Sequence, residues 1–127
     1  NGIDGLSNGL YQYIPINHTI KLLDTSDYAR VLYDASYMTA SVLQAPITLI
    51  YTASFNKMLS RYNDNGMQFV YIELGHSAQN VYLQCVSLKL GTCVVGMFET
   101  EQVKTLLHIP QSETPIYLMP IGVLKEE

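Results

Sequence analysis

Apolar and polar positions along the chain predict short strands separated by helices. Residues 9–14 and 18–23 alternate in polarity on either side of a proline-containing turn, a pattern typical of a β-hairpin. Pro46–Ala53 is apolar and β-branched, which favours a central buried strand, and Pro115–Val123 supplies the last strand. A short buried strand is also expected over Thr92–Gly96.

Four shorter segments carry the capping residues or the spacing of helices. The first has Thr25 or Ser26 as its expected N-cap, and the last has Thr100 as its cap and Pro110 as its stop. The expected helices run from Thr25 or Ser26 to about Ala35, over Met38–Gln44, over Ser54–Ser60, and from Thr100 to about His108.

The longest predicted element is a helix over Met67–Leu90, which follows a strong turn signal at Asn63–Gly66. This segment contains no Pro and one Gly, and a helix of its length measures about 36 Å. Gly91 is expected to end the helix. One long helix among strands that are mostly not adjacent in sequence favours an α+β fold over a doubly wound sheet.

A helical wheel divides the long helix into one polar stripe and two apolar flanks. The stripe consists of short, mostly neutral hydrogen-bonding groups, whereas a solvated face would be rich in Lys, Arg and Glu. It is expected to face a bound ligand, the same helix of a second copy, or internal carbonyl groups, and the wheel leaves all three open. The stripe comprises Glu73, His76, Ser77, Asn80, Gln84 and Ser87, between Leu74, Ala78, Val81, Cys85 and Leu88 on one flank and Ile72, Leu83, Val86 and Leu90 on the other.

Composition indicates a chain that associates with something. Of its 127 residues, 48% are apolar and only 14% are charged, against roughly 25% charged in a typical soluble domain. The expected explanations are a surface covered by a partner or a chain cut from a larger protein. The net charge of −4, without a basic cluster, argues against nucleic acid. No apolar run approaches the roughly 20 residues of a membrane span, so a cytoplasmic protein is the default.

Candidate chemistry within the chain is sparse. Cys85 and Cys93 lie in apolar surroundings and are expected to be buried free thiols. Glu73 and His76 have a di-iron spacing, but a single pair does not make a metal site, and His18 and His108 are expected at the surface or in turns. The motifs of serine hydrolases, P-loops and Rossmann domains do not occur. Any catalysis is therefore expected to depend on a bound cofactor.

Two continuous segments carry a family resemblance. Glu73–Leu83 (ELGHSAQNVYL) and Leu88–Phe98 (LKLGTCVVGMF) resemble the signature of SagB-type dehydrogenases, a branch of the flavin mononucleotide (FMN)-dependent nitroreductase fold. Gly9–Tyr13 resembles the Gly-Leu-Tyr-x-Tyr hairpin of these proteins, and Tyr117–Gly122 resembles their closing strand. The resemblance implies that residues 1–127 form a single, partial nitroreductase-like domain, with a long central helix packed on a mainly antiparallel sheet.

The resemblance also implies an activity. Such a protein is a homodimer with FMN at the subunit interface, and it passes hydride from NAD(P)H through FMN to a small molecule or a peptide azoline. The backbone N–H that approaches flavin N5 corresponds to Gly96 or Met97, and Arg61 and Tyr62 would face the substrate. A non-catalytic, truncated dimerisation module is the alternative. The other implied cofactor-binding residues are Glu73, His76, Asn80, Thr92 and Cys93.

The sequence departs from these relatives in two places. Their Arg- and Ser-containing phosphate-binding motif precedes the hairpin, so the chain is expected to be the carboxy-terminal portion of a longer protein. Azoline-oxidising relatives carry Lys-Tyr where this chain has Arg61-Tyr62. Arginine stays protonated and cannot act as a base, which argues against azoline oxidation.

Overall fold

The computed structural model describes residues 3–124, so both ends of the predicted domain, residues 1–2 and 125–127, lie outside the described residues. Five strands and five helices are interspersed along the described residues, and the paired strands are antiparallel. The α+β fold predicted from the sequence is confirmed. In chain order the elements are β1 (Leu10–Ile14), β2 (Thr19–Asp24), α1 (Ala29–Ala35), α2 (Ala40–Gln44), β3 (Ile47–Ala53), α3 (Phe55–Tyr62), α4 (Asn65–Ser87), β4 (Gly91–Thr92), α5 (Thr100–Leu106) and β5 (Thr114–Gly122).

A three-stranded sheet in the order β3-β5-β4 forms the centre of the fold. Strand β3 pairs with β5 along its whole length, with Ile50 opposite Leu118 and Tyr51 opposite Tyr117. Strand β4 is shorter than the Thr92–Gly96 strand expected from the sequence. Pairing breaks after Thr92 and resumes only as a single bridge between Val95 and Leu118.

The main core lies between the sheet and helices α1, α2 and α5. Side chains alternate between the two faces of a strand, so Leu118 faces this core and Met119 faces the opposite side, and both are fully buried. On that opposite side the hydroxyl of Tyr51 lies 2.9 Å from the Ser77 hydroxyl of α4. The core cluster consists of Leu32, Ala35, Val42, Val95, Phe98, Val103, Leu107 and Leu118.

Strands β1 and β2 form the predicted hairpin, apart from the central sheet. Its turn contains His18, whose ring lies 2.9 Å from the hydroxyl of Tyr13. His18 and His108 are both exposed and both adopt a left-handed backbone conformation, as expected for turn residues. Leu10 packs against the core cluster and links the hairpin to it.

Three of the shorter helices differ from prediction at their first turns. Helix α1 begins at Ala29 rather than after Thr25 or Ser26, because the Asp24 and Asp27 carboxylates accept hydrogen bonds from nearby backbone N–H groups and hold an extended turn. Helix α2 begins at Ala40 rather than Met38, since Met38 has a left-handed backbone. Thr100 is the first residue of α5 rather than its cap.

The long helix α4 begins earlier and ends earlier than predicted. Asn65 and Gly66 already belong to it, and a side chain at Gly66 would collide with the backbone of Met58 in α3. The helix ends at Ser87, and Gly91 does not terminate it. Lys89 takes the left-handed conformation instead, and the Leu90 N–H bonds the Cys85 carbonyl at 2.8 Å in a Schellman turn.

Helix α4 is buried along one narrow face only. Among its residues Gly66, Leu74, Ala78 and Cys85 are buried. The second apolar flank predicted by the wheel is exposed, with Leu83 60% and Val86 75% accessible. The helix therefore presents an apolar surface that the described chain does not cover. No helix in residues 3–124 is long and apolar enough to cross a membrane.

Candidate functional site

The segment between β4 and α5, residues 93–98, separates two clefts of about 380 Å³ each. We call the first the Gly96 cleft; its lining residues are Ser36, Tyr37, Thr39, Cys93, Val94, Val95, Gly96 and Met97. The second, the aromatic cleft, is lined by Phe55, Tyr71, Gly96, Phe98, Thr100, Thr114, Pro115, Ile116 and Tyr117. Gly96 is common to both, so its backbone lies where the two clefts meet.

Two hydrogen bonds fix the backbone before Gly96. The Val94 N–H donates to the hydroxyl of Tyr82 on α4 at 2.7 Å, and the Val95 N–H donates to the Leu118 carbonyl at 2.8 Å. The N–H groups of Gly96 and Met97 have no acceptor within residues 3–124. The loop thus holds two backbone donors in a defined position beside open space.

Glycine at position 96 is not required by the fold. Its backbone is not left-handed, and an added Cβ would meet only the Tyr117 ring at 3.5 Å, an ordinary van der Waals contact. Gly96 is also exposed. The described chain would therefore accommodate a side chain at position 96, but the residue at this junction of the two clefts is glycine.

The predicted α4 residues do not join this loop within one chain. Glu73, His76 and Asn80 are exposed and lie on the helix face away from Leu74 and Ala78, and they line neither cleft. Because these side chains are exposed, they do not bond internal carbonyl groups, which was one of the three alternatives for the polar stripe. Ser77 is the exception in the stripe, because it contacts the Tyr51 hydroxyl.

Arg61 and Tyr62 lie at the end of α3, also outside both clefts. The Arg61 guanidinium stacks over the Tyr62 ring at 5.1 Å, and the Tyr62 ring meets the Phe69 ring edge-on at 5.2 Å. These contacts order the turn between α3 and α4. The described chain does not bring this pair to Gly96.

The residues after β4 differ from one another in environment. Cys85 is buried as predicted, but Cys93 is exposed, 3.5 Å from the Ser41 hydroxyl, because it follows the break in strand pairing. Thr92 has a buried hydroxyl oxygen without a hydrogen-bond partner. Both cysteines are free thiols, and no cluster of metal-binding side chains occurs between residues 3 and 124.

Two tyrosines of the site were missed by the sequence analysis. Tyr82 positions the loop through Val94, and Tyr37 in the wall of the Gly96 cleft donates a hydrogen bond of 2.6 Å to the Glu99 carboxylate. This bond raises the pKa of the Tyr37 hydroxyl above its ordinary value. The only feature of the sequence that drew attention to these residues is its composition, with ten tyrosines and no tryptophan. The composition does not show which tyrosines belong to the site.

Comparison with known proteins decides the family. The sequence profile of the Nitroreductase family matches residues 20–123. The chain belongs to the Nitroreductase family. The family recognised in the sequence is thereby confirmed, whereas membership of the SagB-type branch stays a prediction. Strand β1 lies before the matched region.

Similarity to individual proteins supports this assignment. A candidate nitroreductase of Methanocaldococcus jannaschii is 38% identical over 118 residues, which are 93% of this chain and 59% of that protein. The chain thus spans about three fifths of the length of that relative. A crystal structure of a candidate nitroreductase from Anabaena variabilis superposes with a TM-score of 0.92 at 25% identity, over 98% of this chain and 26% of that one.

A second solved structure shares the fold at lower identity. It is an NADPH:FMN oxidoreductase from Vibrio harveyi complexed with NAD+. It matches with a TM-score of 0.66 and 21% identity, over 77% of this chain and 46% of that chain.

Proposed function

We propose that this chain is part of an FMN-dependent oxidoreductase that passes hydride from a nicotinamide donor through FMN to an organic acceptor. The observation that carries the proposal is the loop at Gly96 and Met97. Its two backbone donors lack acceptors within the described chain and border open clefts, at a position where the fold does not demand glycine.

The residues of the loop suit a flavin. A flat, neutral ring with acceptor atoms along its edge needs backbone N–H donors and no intervening side chain, which Gly96 and Met97 provide. The exposed Cys93 thiol lines the Gly96 cleft, whereas the buried Thr92 hydroxyl lines neither cleft. Bound FMN would supply the acceptance and release of hydride. The fixed donors of the loop would stabilise negative charge that develops on such a ring, since they need no reorganisation.

We propose a homodimer as the active assembly. The chain exposes 8897 Å² of surface, whereas a folded monomer of 14.3 kDa is expected to expose about 6,800 Å². The excess is about 2,100 Å² per chain, an area that a second copy and the remainder of a longer chain would cover between them. The exposed flank of α4 with Ile72, Leu83 and Val86 supplies an apolar centre for this contact.

Dimerisation would also employ the polar stripe of α4. Glu73, His76 and Asn80 lie on the same exposed side of the helix as Leu83, so a second copy that covers the flank would also cover them. Two of the three partners considered for the stripe, a second copy of the helix and a bound ligand, are then compatible. A ligand bound between two copies would contact the stripe of both. Glu73, His76 and Asn80 would act on a flavin only through that assembly.

The donor and acceptor are proposed by class. The likeness in fold to an oxidoreductase complexed with NAD+ supports a nicotinamide donor. Arg61 and Tyr62 would lie toward the acceptor, where the fixed charge of Arg61 suits a polar group and does not suit base catalysis. We retain the SagB-type branch as part of the proposal, on the motifs Glu73–Leu83 and Leu88–Phe98.

The test is spectroscopic and uses the full-length protein. We expect purified protein to be yellow, to release FMN on denaturation, and to lose its flavin absorbance band when NADH or NADPH is added without oxygen. Adding a quinone should restore the band. A colourless protein that takes up no added FMN would overturn the proposal, and if it were still dimeric it would indicate a dimerisation module.

A further inference from the structure

Tyr37 lines the Gly96 cleft together with Gly96. It belongs to the segment Ser36–Thr39, which links α1 to α2, and the remaining lining residues belong to the loop 93–97; these two stretches are the walls of the cleft. No Lys, Arg, Asp or Glu side chain lines this cleft. A ligand that enters this cleft to reach Gly96 would therefore contact mainly the Tyr37 ring, the Met97 side chain and small neutral groups.

Two hydrogen bonds join the two walls at one end. The Tyr37 hydroxyl donates to the Glu99 carboxylate at 2.6 Å, and the Glu99 N–H donates to the Ala35 carbonyl at 2.9 Å. Tyr37 as a residue is 55% exposed. Because water could satisfy so exposed a hydroxyl, the bond to Glu99 is not needed to avoid a buried polar group, and its effect is to hold the ring in one place.

The backbone at this wall is held in an unusual conformation. Tyr37 and Met38 are consecutive non-glycine residues with left-handed φ values of 52° and 62°. The surrounding bonds enforce it: the Met38 N–H donates to the Tyr33 carbonyl at 2.9 Å, and the Thr39 hydroxyl donates to the Ser36 carbonyl at 2.6 Å. Strained conformations that are overdetermined in this way concentrate at ligand sites.

We propose that Tyr37 is a specificity-determining residue, whose ring, tethered to Glu99, sets the width of the passage to Gly96 and so selects narrow, neutral acceptors over broad ones. This inference rests on the proposed flavin-dependent function. The hydroxyl acts only as a tether. The phenol is protonated at neutral pH and can donate to the Glu99 carboxylate, which raises its pKa further above the ordinary value.

The experiment compares two neutral quinones of different width, benzoquinone and menadione, with the full-length flavoprotein. Tyr37→Ala should lower the KM for menadione by about tenfold, in the range by which a pocket discriminates substrates of different size. The KM for benzoquinone should fall much less, so the ratio of the two KM values should decrease. Tyr37→Phe should shift the menadione KM in the same direction but less, because the ring is kept and its tether is lost.

Glu99→Gln is the conservative control. The glutamine side-chain carbonyl can still accept the Tyr37 hydrogen bond, so this variant should keep the wild-type ranking of the two quinones. A merely structural role would instead change both quinones in parallel, together with thermal stability, and that outcome would overturn the inference. An unchanged ratio of KM values in Tyr37→Ala would overturn it as well, in a protein that still holds FMN and reduces both quinones. A wild type without FMN or quinone activity overturns the proposed function and this inference together.

Discussion

Placing one positive charge on the exposed face of α4 should break the proposed dimer without unfolding the chain. Asn80 is exposed, and it lies on the same side of the helix as Leu83, which is 60% accessible. In the monomer a lysine at position 80 would extend into water, so Asn80→Lys should change the free energy of unfolding of one chain by no more than about 0.5 kcal/mol.

In the dimer the same lysine would be buried. A two-fold interface is formed by the same surface on both copies, so each dimer carries the substitution twice. A buried charge without a partner costs several kcal/mol, although a lysine near the rim can extend toward solvent. Taking about 3 kcal/mol as the smallest cost for the pair, the dissociation constant should rise about a hundredfold. Gln84→Glu, which adds a charge with almost no change in shape, should act in the same direction.

Analytical ultracentrifugation over a concentration series measures both quantities that matter, the mass of the species and the dissociation constant. Gln102→Lys supplies the matched control, because Gln102 is exposed on α5, a helix that packs against β5 and α1. The control should dimerise like wild type. A wild-type protein that is monomeric at high micromolar concentration, or an Asn80→Lys protein that dimerises unchanged, would show that α4 is not the contact surface.

Two further substitutions test the loop and the helix end. Gly96→Val should weaken FMN retention about tenfold or more, measured by fluorescence titration of the apoprotein, because it puts a branched side chain at the junction of the two clefts. Cys93→Ala, which trims an exposed thiol, should weaken it less, and equal losses at equal stability would contradict the role given to the loop backbone. Lys89→Gly should raise the free energy of unfolding by up to about 1 kcal/mol in urea denaturation, since glycine adopts the left-handed conformation at position 89 without steric cost. A lower stability would show that the Lys89 side chain has a role of its own.

The sequence by itself determined the order and type of the elements. Alternation in β1 and β2, the apolar run of β3 and the uninterrupted helical segment of α4 are local patterns, and the period of a pattern follows from the geometry of the backbone that forms it. The motifs at Glu73–Leu83 and Leu88–Phe98 also sufficed to identify the family, since the family profile later matched residues 20–123.

Element ends were decided by contacts that a local pattern does not contain. Gly91 was the natural choice to end α4, yet Lys89 occupies the left-handed position because the Leu90 N–H reaches the Cys85 carbonyl there. In the same way, the hydrogen bond from the Ala29 N–H to the Asp27 carboxylate belongs to an extended turn that delays the start of α1.

The tertiary structure alone decided which surfaces are covered and which side chains meet. A helical wheel treats the two apolar flanks of α4 as equivalent, and only packing buried Leu74 while leaving Val86 exposed. Tyr37 and Glu99 are 62 positions apart, so their hydrogen bond follows from the docking of α5 beside α1 and from no property of either segment. Burial and such long-range bonds depend on how elements pack in three dimensions, whereas a sequence pattern specifies only the elements.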